Sequence, residues 1–533
     1  MTLDWLAIAF GDVVWLATAF ALGFASRLVG LPPLVGFLAA GFLLHAQGFV
    51  GGELLQKLSD LGITLLLFTV GLKLNLKTLA RPQVWAVTGL HAALVVAVFG
   101  SVLYALALVG VPLLDELSFF TALLIAFALS FSSTVFVVKV LEQKGEMQTL
   151  HGRVAIGILI MQDLVAVIFL TVSSGKWPSF WALALLLLIP LRGLLHQLLQ
   201  RVGHGELLVL YGFLLALGGA ELFELVGLKG DLGALFIGIL IASASKAEEL
   251  AKNMLGFKNL FLLGFFLLVG MSGEPSVDAV VLGVVIAPFA LLKSGLFFAL
   301  LNRFNLRART SLLSSLSLMN FSEFGLIVAS IGVSKGWISA DWLIVIAVAL
   351  SVSFVFAAGF NRSAHTLFSR HREFWRRFQR VSRLADDRFH DIEGATIAVI
   401  GMGGIGTGAY DKMREHHGET VIGIDIDPLT VGNHQASGRR VLPGDPGDAD
   451  FWDRVAATHS LTLVMLALPK LSTSLAVLHE IKTASFEGDI AVTAKFSDEE
   501  DELLQAGATT VFNIYTEAGA GFASHVDGET PLP

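Results

Sequence analysis

The chain has no cysteine and few charged residues, and each shortage restricts its class. Without cysteine, disulfide bonds and thiol switches on the protein itself are excluded. Charged residues make up 15% of the 533 residues and hydrophobic residues 55%, with a mean hydropathy of +0.74. This balance excludes a soluble globular protein of ordinary composition. No signal peptide with a small-residue cleavage site precedes the first apolar run.

Apolar runs of membrane-spanning length recur between Trp5 and Phe360. A helix needs about 20 residues to cross a bilayer, so we count about 13 spans. They lie near residues 8–28, 32–48, 57–77, 84–108, 117–140, 152–173, 178–199, 205–226, 230–245, 257–273, 278–301, 310–333 and 340–361. The sequence therefore predicts a polytopic α-helical membrane domain over residues 1–363.

Lysines and arginines are concentrated in alternate loops between these spans. The basic loops contain Arg27, Lys73, Lys77, Arg81, Lys139, Lys144, Arg153, Arg192, Arg201, Lys246, Lys252, Lys258, Arg303, Arg307 and Arg309. The intervening loops contain Asp115, Glu116, Glu274 and Asp278 instead. Because basic loops stay in the cytoplasm, we expect the N-terminus outside, the tail inside and a multi-pass protein of the inner (plasma) membrane.

The membrane domain repeats its own motifs in the same order. Gly30-Leu31-x4-Gly36-x4-Gly41 returns as Gly227-Leu228-x4-Gly233-x4-Gly238, Phe68-Thr-Val-Gly71 as Leu267-Leu-Val-Gly270, and Phe131-Ser-Ser133 as Phe321-Ser-Glu323. With the span count and the charge pattern, this predicts six spans, one spacer span and six more that enter from the opposite face. Such inverted repeats are typical of secondary transporters with a substrate site between the repeats.

Ionisable residues inside the spans are candidates for transport, because burying one in a membrane costs at least about 2.5–3.5 kcal/mol. Asp163 is the one carboxylate of its span and follows Gln162. A buried carboxylate can hold either a proton or a monovalent cation, and Gln162 can add a neutral oxygen ligand. We assign the transported cation to this pair. Lys293, also mid-span, is either an ion-pair partner of Asp163 or a fixed charge that stabilises broken helix ends.

Polar residues interrupt two spans at matching positions of the repeats. Ser132, Ser133 and Thr134 interrupt the fifth span, and Ser322 and Glu323 interrupt the twelfth. Matching breaks predict discontinuous helices that cross near the membrane midplane, with carbonyls and helix-dipole ends facing an ion. The alternative is an unbroken helix whose serines bond back to their own backbone.

The sequence changes in character after Phe360. Residues 1–363 carry 21 Lys and Arg against 19 Asp and Glu, whereas residues 364–533 carry 15 against 25. Residues 364–392 form a linker with basic and aromatic residues at helical spacing. This linker is either a helix on the anionic lipid surface or a lever that passes tail conformation to the membrane domain, and the two roles are compatible.

Residues 393–533 have the pattern of a Rossmann-type α/β domain. A strand-like segment precedes a glycine-rich turn and a helix, and the next strand ends at Asp425. Such glycines let a pyrophosphate approach the backbone, and the acid holds a ribose. No arginine follows Asp425 closely, so we expect AMP or NAD(H) as the ligand. The predicted site comprises Gly401, Gly403, Gly404, Ile405, Gly406, Asp425, Ile426, Asp427 and Asp445. Asp445 fits a helix cap equally well.

Together these motifs resemble the monovalent cation:proton antiporter-2 family, in its Kef-type branch. The resemblance rests on Gly-Leu-x4-Gly-x4-Gly, Leu-Phe-Thr-Val-Gly71-Leu, Ser-Ser-Thr134, Gln162-Asp163, Phe265-Phe-Leu-Leu-Val-Gly-Met271 and Ser322-Glu323-Phe324. It covers nearly the whole chain, since the tail resembles the nucleotide-binding half of an RCK/KTN regulatory domain. It implies potassium efflux in exchange for protons, a homodimer, and gating by ligands on paired cytoplasmic domains.

In the wider superfamily an Asp-Asp pair at this place accompanies electrogenic sodium exchange, so Gln162-Asp163 implies potassium and one-for-one exchange. The Kef branch also implies glutathione as a regulatory ligand. Two departures weigh against glutathione control here. Lys73 stands where a glutamate is expected, and the tail stops soon after the last of the six strands that we expect in it. Neither departure affects nucleotide control.

Two alternative functions remain open. One is a sodium/proton antiporter of the same fold. The other is a membrane-anchored NAD-dependent oxidoreductase, which needs a single anchoring span and a substrate domain that the tail does not offer. We therefore expect a secondary transporter and not an enzyme, with no nucleic-acid partner and no structural metal.

Overall fold

The computed structural model describes residues 4–28, 33–49, 51–73, 80–111, 113–115, 117–173, 179, 185, 187–271, 276–380, 382–384, 387, 392, 394–448, 451–452, 455 and 460–529. The chain forms two compact units. The first comprises Met1–Val138, Val154–Phe368 and Glu373–Arg380, and the second Lys139–Arg153, Ser369–Arg372 and Val381–Pro533. Of the residues singled out above, Gly30, Leu31, Lys77, Glu116 and Glu274 lie outside the described residues. The domain boundaries at residues 363 and 392 stay predictions.

The chain up to residue 376 is helical in its described parts. The helices are α1 (Asp4–Leu28), α2 (Pro33–Ala46), α3 (Glu53–Lys73), α4 (Pro82–Leu108), α5 (Phe119–Ser130), α6 (Thr134–Lys144), α7 (Leu150–Ser173), α8 (Leu188–Arg201), α9 (Glu206–Leu225), α10 (Gly230–Ile241), α11 (Ala247–Gly270), α12 (Val277–Ile286), α13 (Phe289–Arg303), α14 (Ala308–Ser317), α15 (Glu323–Ser334), α16 (Asp341–Arg370) and α17 (Arg372–Arg376).

Eight helices in the described ranges are long and apolar enough to cross a membrane, counting α5 with α6 and α12 with α13. Four shorter apolar helices lie at Val13–Leu28, Pro33–Ala46, Gly230–Ile241 and Glu323–Ser334. The predicted polytopic α-helical domain is confirmed, and the count of 13 spans stays a prediction. The span predicted at 278–301 consists of two helices separated at Pro288, because proline cannot donate to the preceding turn.

Two pairs of glycines bring helices into backbone contact. A Cβ on Gly41 of α2 would lie 2.4 Å from the Leu267 carbonyl oxygen of α11, and one on Gly270 would lie 2.4 Å from the Leu38 oxygen. Gly71 of α3 and Gly238 of α10 meet in the same way. A Cβ on either glycine would lie 3.0 Å from the Cα of the other. The four glycines belong to the repeated motifs, so each crossing joins one repeat to the other.

Residues 397–513 form a six-stranded sheet. Its strands are β1 (Ile397–Ile400), β2 (Val421–Asp425), β3 (Val441–Pro443), β4 (Leu463–Leu466), β5 (Asp489–Ala494) and β6 (Thr510–Asn513). The helices are α18 (Gly404–His417), α19 (Pro428–Ala436), α20 (Leu471–Thr483), α21 (Ser497–Ala506) and α22 (Ile514–Glu529). All strand pairs are parallel, in the order β3-β2-β1-β4-β5-β6.

This strand order is that of the Rossmann fold, and it confirms the α/β tail predicted from the sequence. The chain reverses direction across the sheet between β3 and β4, on either side of β1. The carboxyl ends of β1 and β4 therefore border the crevice in which such folds bind ligands. The sheet is covered by apolar side chains that include Ile400, Ile424 and Leu466, all of which are buried.

The glycine crossings predict that a single methyl group destabilises the membrane domain. Gly270→Ala places a Cβ where the Leu38 oxygen leaves no space, and overpacking of this kind costs about 1–3 kcal/mol. We expect a lower melting temperature of the purified protein in detergent. Gly256→Ala, in the same helix but facing open space, is the control and should not lower it. Equal melting temperatures for both variants would contradict the close crossing.

Candidate functional site

Two helices of the membrane domain are interrupted where the sequence contains its polar breaks. Between α5 and α6, residue Phe131 has an extended backbone with ψ of 150°. Between α14 and α15, residues 318–322 are non-helical, and Ser322 accepts a bond from the Phe324 amide at the start of α15. Each break leaves backbone groups without helical partners, and in a membrane these groups need partners from the protein.

The two breaks supply partners to each other. The Ser132 hydroxyl donates to the Leu318 carbonyl at 2.9 Å. The Ser133 amide donates to Asn320 Oδ1 at 2.7 Å. All four residues are buried. The breaks of the two repeats therefore meet and satisfy each other's polar groups.

Lys293 of α13 lies at this meeting point. Its Nζ donates to the Phe131 carbonyl and to the Asn320 carbonyl, both at 2.6 Å, and 1% of the residue is exposed. These carbonyls end α5 and follow α14, where the helix dipoles are negative. Of the two roles left open by the sequence, these bonds favour a fixed charge at broken helix ends over an ion pair with Asp163.

Gln162 braces the first break. Its Oε1 accepts from the Ser132 amide at 3.0 Å, and its Nε2 donates to the Ser130 carbonyl at 3.2 Å. The predicted role was a cation ligand. An amide oxygen has two lone pairs, so Oε1 can hold the Ser132 amide and still face a cation. The bracing role was not visible in the sequence, because its partners are backbone groups.

Asp163, next to Gln162 on α7, faces the start of α6. The Thr134 hydroxyl lies 3.2 Å from Oδ2 and 3.4 Å from Oδ1 of Asp163, and Asp163 is 2% exposed. Thr134 begins α6, and Ser133 Oγ accepts from the Phe136 amide of its first turn. The carboxylate thus lies at the positive end of a half-helix, where the helix dipole stabilises a negative charge.

Ser322 and Glu323 begin the second half-helix, α15. Ser322 Oγ lies 3.4 Å from Glu323 Oε2, and Glu323 is buried. The Phe321 amide donates to Ser353 Oγ of α16 at 3.0 Å. The contact with Ser322 links Glu323 to its own break. The two predicted carboxylates thus belong to different halves of the crossing.

Three residues of this crossing were not among the predicted site residues. Asn320 directly precedes the Phe321-Ser-Glu323 motif, and its side chain and carbonyl both bond across the crossing. Ser353 and Asn361 lie on α16, and Asn361 Nδ2 donates to the Leu316 carbonyl at 2.9 Å. The one available signal was a polar side chain within an otherwise apolar run.

The glycine turn of the tail leaves space beside the backbone. Gly401 has φ of +90°, and a Cβ on Gly406 would lie 1.8 Å from the Gly401 oxygen, so both positions require glycine. A Cβ on Gly403 or Gly404 would meet no atom within 4 Å. Gly403 precedes α18, whose first amides point towards this open space.

Asp425, at the end of β2, holds the glycine turn. Its Oδ2 accepts from the Met402 amide at 2.7 Å and its Oδ1 from the Asp427 amide at 2.9 Å. Each carboxylate oxygen can accept a further bond, so the side chain remains able to hold a ribose hydroxyl. Ile426 connects the two acids, and Ile405 is 45% exposed at the start of α18.

The side chains of Asp427 and Asp445 accept bonds from backbone amides that lie close by in the sequence. Asp427 caps α19, since its two carboxylate oxygens accept from the Leu429 and Thr430 amides, each at 3.2 Å. Asp445 Oδ1 accepts from the Gly447 amide at 2.9 Å in the turn after β3. The capping contact favours a structural role for Asp427, and its predicted role in nucleotide binding stays a prediction, as does that of Asp445.

Known proteins resemble this chain along both units. Residues 15–361 match the family model described as sodium/hydrogen exchanger, transmembrane, and residues 397–514 match the TrkA-N domain. A protein named as the K(+) efflux antiporter KefB of Alkalimonas amylolytica is 26% identical over 95% of this chain and 80% of its own length. One named as the cation/proton antiporter YbaL of Escherichia coli (strain K12) is 31% identical over 60% of this chain and 62% of its own.

Two solved structures are similar to parts of the chain. The sodium proton antiporter MjNhaP1 from Methanocaldococcus jannaschii has a TM-score of 0.48 and 13% identity, over 68% of this chain and 99% of that chain. The TrkA-N domain of the inner membrane protein ybaL from Escherichia coli has a TM-score of 0.22 and 14% identity, over 25% of this chain and 96% of that chain.

The transmembrane family model covers more than half of the chain, and the TrkA-N match covers most of the Rossmann-type tail. The two relatives described above are named as cation antiporters. The chain therefore belongs to the transmembrane sodium/hydrogen exchanger family, as a Kef-type cation/proton antiporter with a TrkA-N tail.

Proposed function

We propose that the protein exports potassium in exchange for protons, one for one, by alternating access. The observation that carries this proposal is the buried Asp163 carboxylate at the start of α6, next to the neutral Gln162 amide. One carboxylate that binds either a proton or a monovalent cation gives exchange without net charge movement. The name of the relative KefB, a K(+) efflux antiporter, supports potassium as the cation.

The proposed exchange needs Asp163 to change its charge while Lys293 and Glu323 keep their own contacts. Lys293 bonds to two carbonyls, and Glu323 lies against Ser322 of its own break. A proton and the transported cation then compete for the Asp163 carboxylate. In this scheme the cation leaves when the proton arrives, and the reverse step completes the cycle.

We also propose that the two halves of the membrane domain are inverted repeats of six spans around one spacer span. The glycine crossings support this arrangement. Gly41 of the first repeat contacts Gly270 of the second, and Gly71 of the first contacts Gly238 of the second. Because Gly41 corresponds to Gly238 and Gly71 to Gly270, exchanging the two repeats converts one contact into the other. A two-fold axis in the membrane plane has this property, and alternating access follows when one half rocks against the other.

The tail is proposed to bind AMP or NAD(H) and to gate exchange from the cytoplasm. Support comes from the open space at Gly403, the start of α18 beside it, and the Asp425 carboxylate at the end of β2. A helix N-terminus binds phosphate through its free amides. A 2′-phosphate would be repelled by Asp425, which disfavours NADP(H).

Contacts of the linker offer a route for this gating. Phe298 of α13 packs edge-on against Trp375 and Phe378 of the linker, at ring-centroid distances of 5.3 and 5.8 Å. The Ala308 amide, first in α14, donates to Gln379 Oε1 at 3.1 Å. Helix α13 carries Lys293, and α14 leads to the second break, so these contacts favour the lever interpretation of residues 364–392.

The same proposal includes a homodimer in the inner membrane with its tail in the cytoplasm, and leaves glutathione as a ligand to be tested. The second candidate function is sodium/proton exchange, which the family description and the fold accommodate. Proteoliposomes loaded with a pH-sensitive dye separate the two. Potassium gradients should drive faster proton movement than equal sodium gradients, and a preference for sodium would replace the proposal with the second candidate.

Asp163→Asn should abolish cation-driven proton movement. Asparagine keeps the shape and the bond to Thr134 but can neither bind a proton nor balance a cation. The measurement is dye-reported exchange in proteoliposomes, with size-exclusion chromatography to check the fold. Asp278→Asn removes an exposed acid from the start of α12 and should exchange as the parent does. Exchange by folded Asp163→Asn protein would refute the assignment.

Gln162→Asp should change the pH dependence of exchange. With a second carboxylate beside Asp163, the two coupled groups lose their protons in two separate steps. This broadens the pH profile of exchange and allows the pair to bind two positive charges. Gln162→Asn, which shortens the side chain without adding charge, is the control for the lost brace at Ser130. If Gln162→Asp retains the parent's pH profile and ion preference, Gln162 does not face the cation.

Gly403→Val should block nucleotide binding and leave the fold intact. A Cβ at this position meets no atom within 4 Å, and the valine side chain occupies space that a pyrophosphate needs. Titration calorimetry on the full-length protein with AMP, NADH and NADPH measures the effect. Gly408→Val, also facing open space but inside α18, should bind as the parent does. Binding by Gly403→Val equal to the parent's would remove the glycine turn from the site.

A further inference from the structure

His91 is a buried imidazole that the exchange scheme above does not use. It lies on α4, and none of its surface is exposed. Its ring is parallel to that of Phe297 on α13, with ring centroids 3.5 Å apart and an interplanar angle of 6°. Its Nε2 lies 3.3 Å from the Lys293 carbonyl oxygen. Its Nδ1 has no hydrogen-bond partner among the residues that the structure describes.

Both contacts of His91 fall on one turn of α13. Phe297 follows Lys293 by four residues, so its ring and the Lys293 carbonyl are neighbours on the helix surface. The Lys293 side chain leaves the same turn and reaches the carbonyls of Phe131 and Asn320. His91 therefore holds the backbone from which the ammonium is presented to both broken helices.

The carbonyl partner fixes the proton on the imidazole. A neutral imidazole has one N–H, and only an N–H can bond to a carbonyl, so the proton lies on Nε2 and Nδ1 is bare. Protonation of Nδ1 would add a buried cation with no acceptor. The helices packed against α4 add no acid: α5 has no titratable side chain, and α13 contributes Lys293 and Arg303. On α4 itself the other titratable side chain is Tyr104.

We infer that His91 is a positioning residue for Lys293, acting through the Lys293 carbonyl and the Phe297 ring, and that it does so only as a neutral imidazole. The consequence for exchange rests on the proposed antiport function. A second positive charge beside the Lys293 ammonium repels it from the carbonyls that it holds. Exchange should therefore fall at acid pH through His91, in addition to any titration of Asp163.

The test compares two uncharged variants. His91→Phe keeps the ring stacking and loses the donor, whereas His91→Gln keeps an amide donor and loses the ring. Losing one buried hydrogen bond corresponds to a roughly five- to tenfold change, so we expect His91→Phe to lower kcat by about that factor with an unchanged KM. His91→Gln should recover most of the rate. Both should lose part of the decline at acid pH.

The control lies three residues earlier on the same helix. Thr88 is buried and bonds to the Val84 carbonyl of its own helix, so Thr88→Val removes a buried hydroxyl whose bond lies within α4. It should retain the parent's kcat and pH profile. A parental rate and profile in His91→Phe, or an equal loss of rate in Thr88→Val, would overturn the inference.

A measurement that needs no transport separates this inference from the proposed function. In protein labelled with ¹⁵N-histidine, the imidazole signal that is missing from His91→Gln identifies His91. At neutral pH we expect that signal to be the Nε2–H tautomer. An Nδ1–H tautomer or a charged ring would overturn the positioning role, whereas an unlabelled parent that exchanges no protons would overturn the antiport function alone.

Discussion

The membrane domain depends on one ammonium group shared by two broken helices. A helix that stops inside a membrane leaves carbonyls without partners, and each such group costs several kcal/mol in an apolar medium. Lys293 supplies bonds of 2.6 Å to one carbonyl from each break. The charge of the lysine and the negative helix ends compensate each other, which lets irregular backbone persist at this depth. Removing the lysine would leave both breaks unsatisfied together.

In the proposed exchange, this arrangement separates the structural charge of Lys293 from the charge that Asp163 gains and loses. The carbonyl groups that follow α5 and α14 hold the lysine, and the amide end of α6 faces Asp163. Helix dipoles thus provide a negative environment for the cationic side chain and a positive one for the carboxylate. In that scheme, proton exchange at Asp163 leaves the bonds of Lys293 to the two breaks in place. Gln162 contributes to the same separation, because its amide braces the break and adds no charge.

The sequence predicted those features that rest on local patterns. Asp163, both polar breaks and the glycine turn follow from residue type, spacing and apolar runs, and the parallel strands of the tail follow from short buried segments. Pro288 is an equally local signal of a helix break, although residues 278–301 are predicted as a single span. Asp427 precedes a proline at the start of a helix, which is a local signal for the cap that the structure shows.

Features whose partners are backbone groups could not be predicted. The sequence allowed two roles for Lys293. Every residue has a backbone carbonyl, so a carbonyl partner cannot be recognised from residue types. The same limit hid the bonds of Gln162 to Ser130 and Ser132, and of Asn361 to Leu316. His91 was not among the predicted site residues, since nothing in an apolar helix shows which turn of another helix it faces. Such contacts between distant segments require three-dimensional coordinates.

In the proposed gating, the linker relates the shared ammonium to the tail. A ligand shifts a conformational equilibrium only by the difference in its affinity for the two states, so a gating tail needs mechanical access to groups that differ between them. Linker side chains contact α13 at Phe298 and the first amide of α14. Helix α13 carries Lys293, and Asn320 follows α14 in the second break, where its carbonyl accepts from Lys293 Nζ at 2.6 Å. A displacement of this break against α13 by about 1 Å would lengthen that bond past the range of a hydrogen bond. Gating of the proposed kind therefore needs only a small shift at the linker.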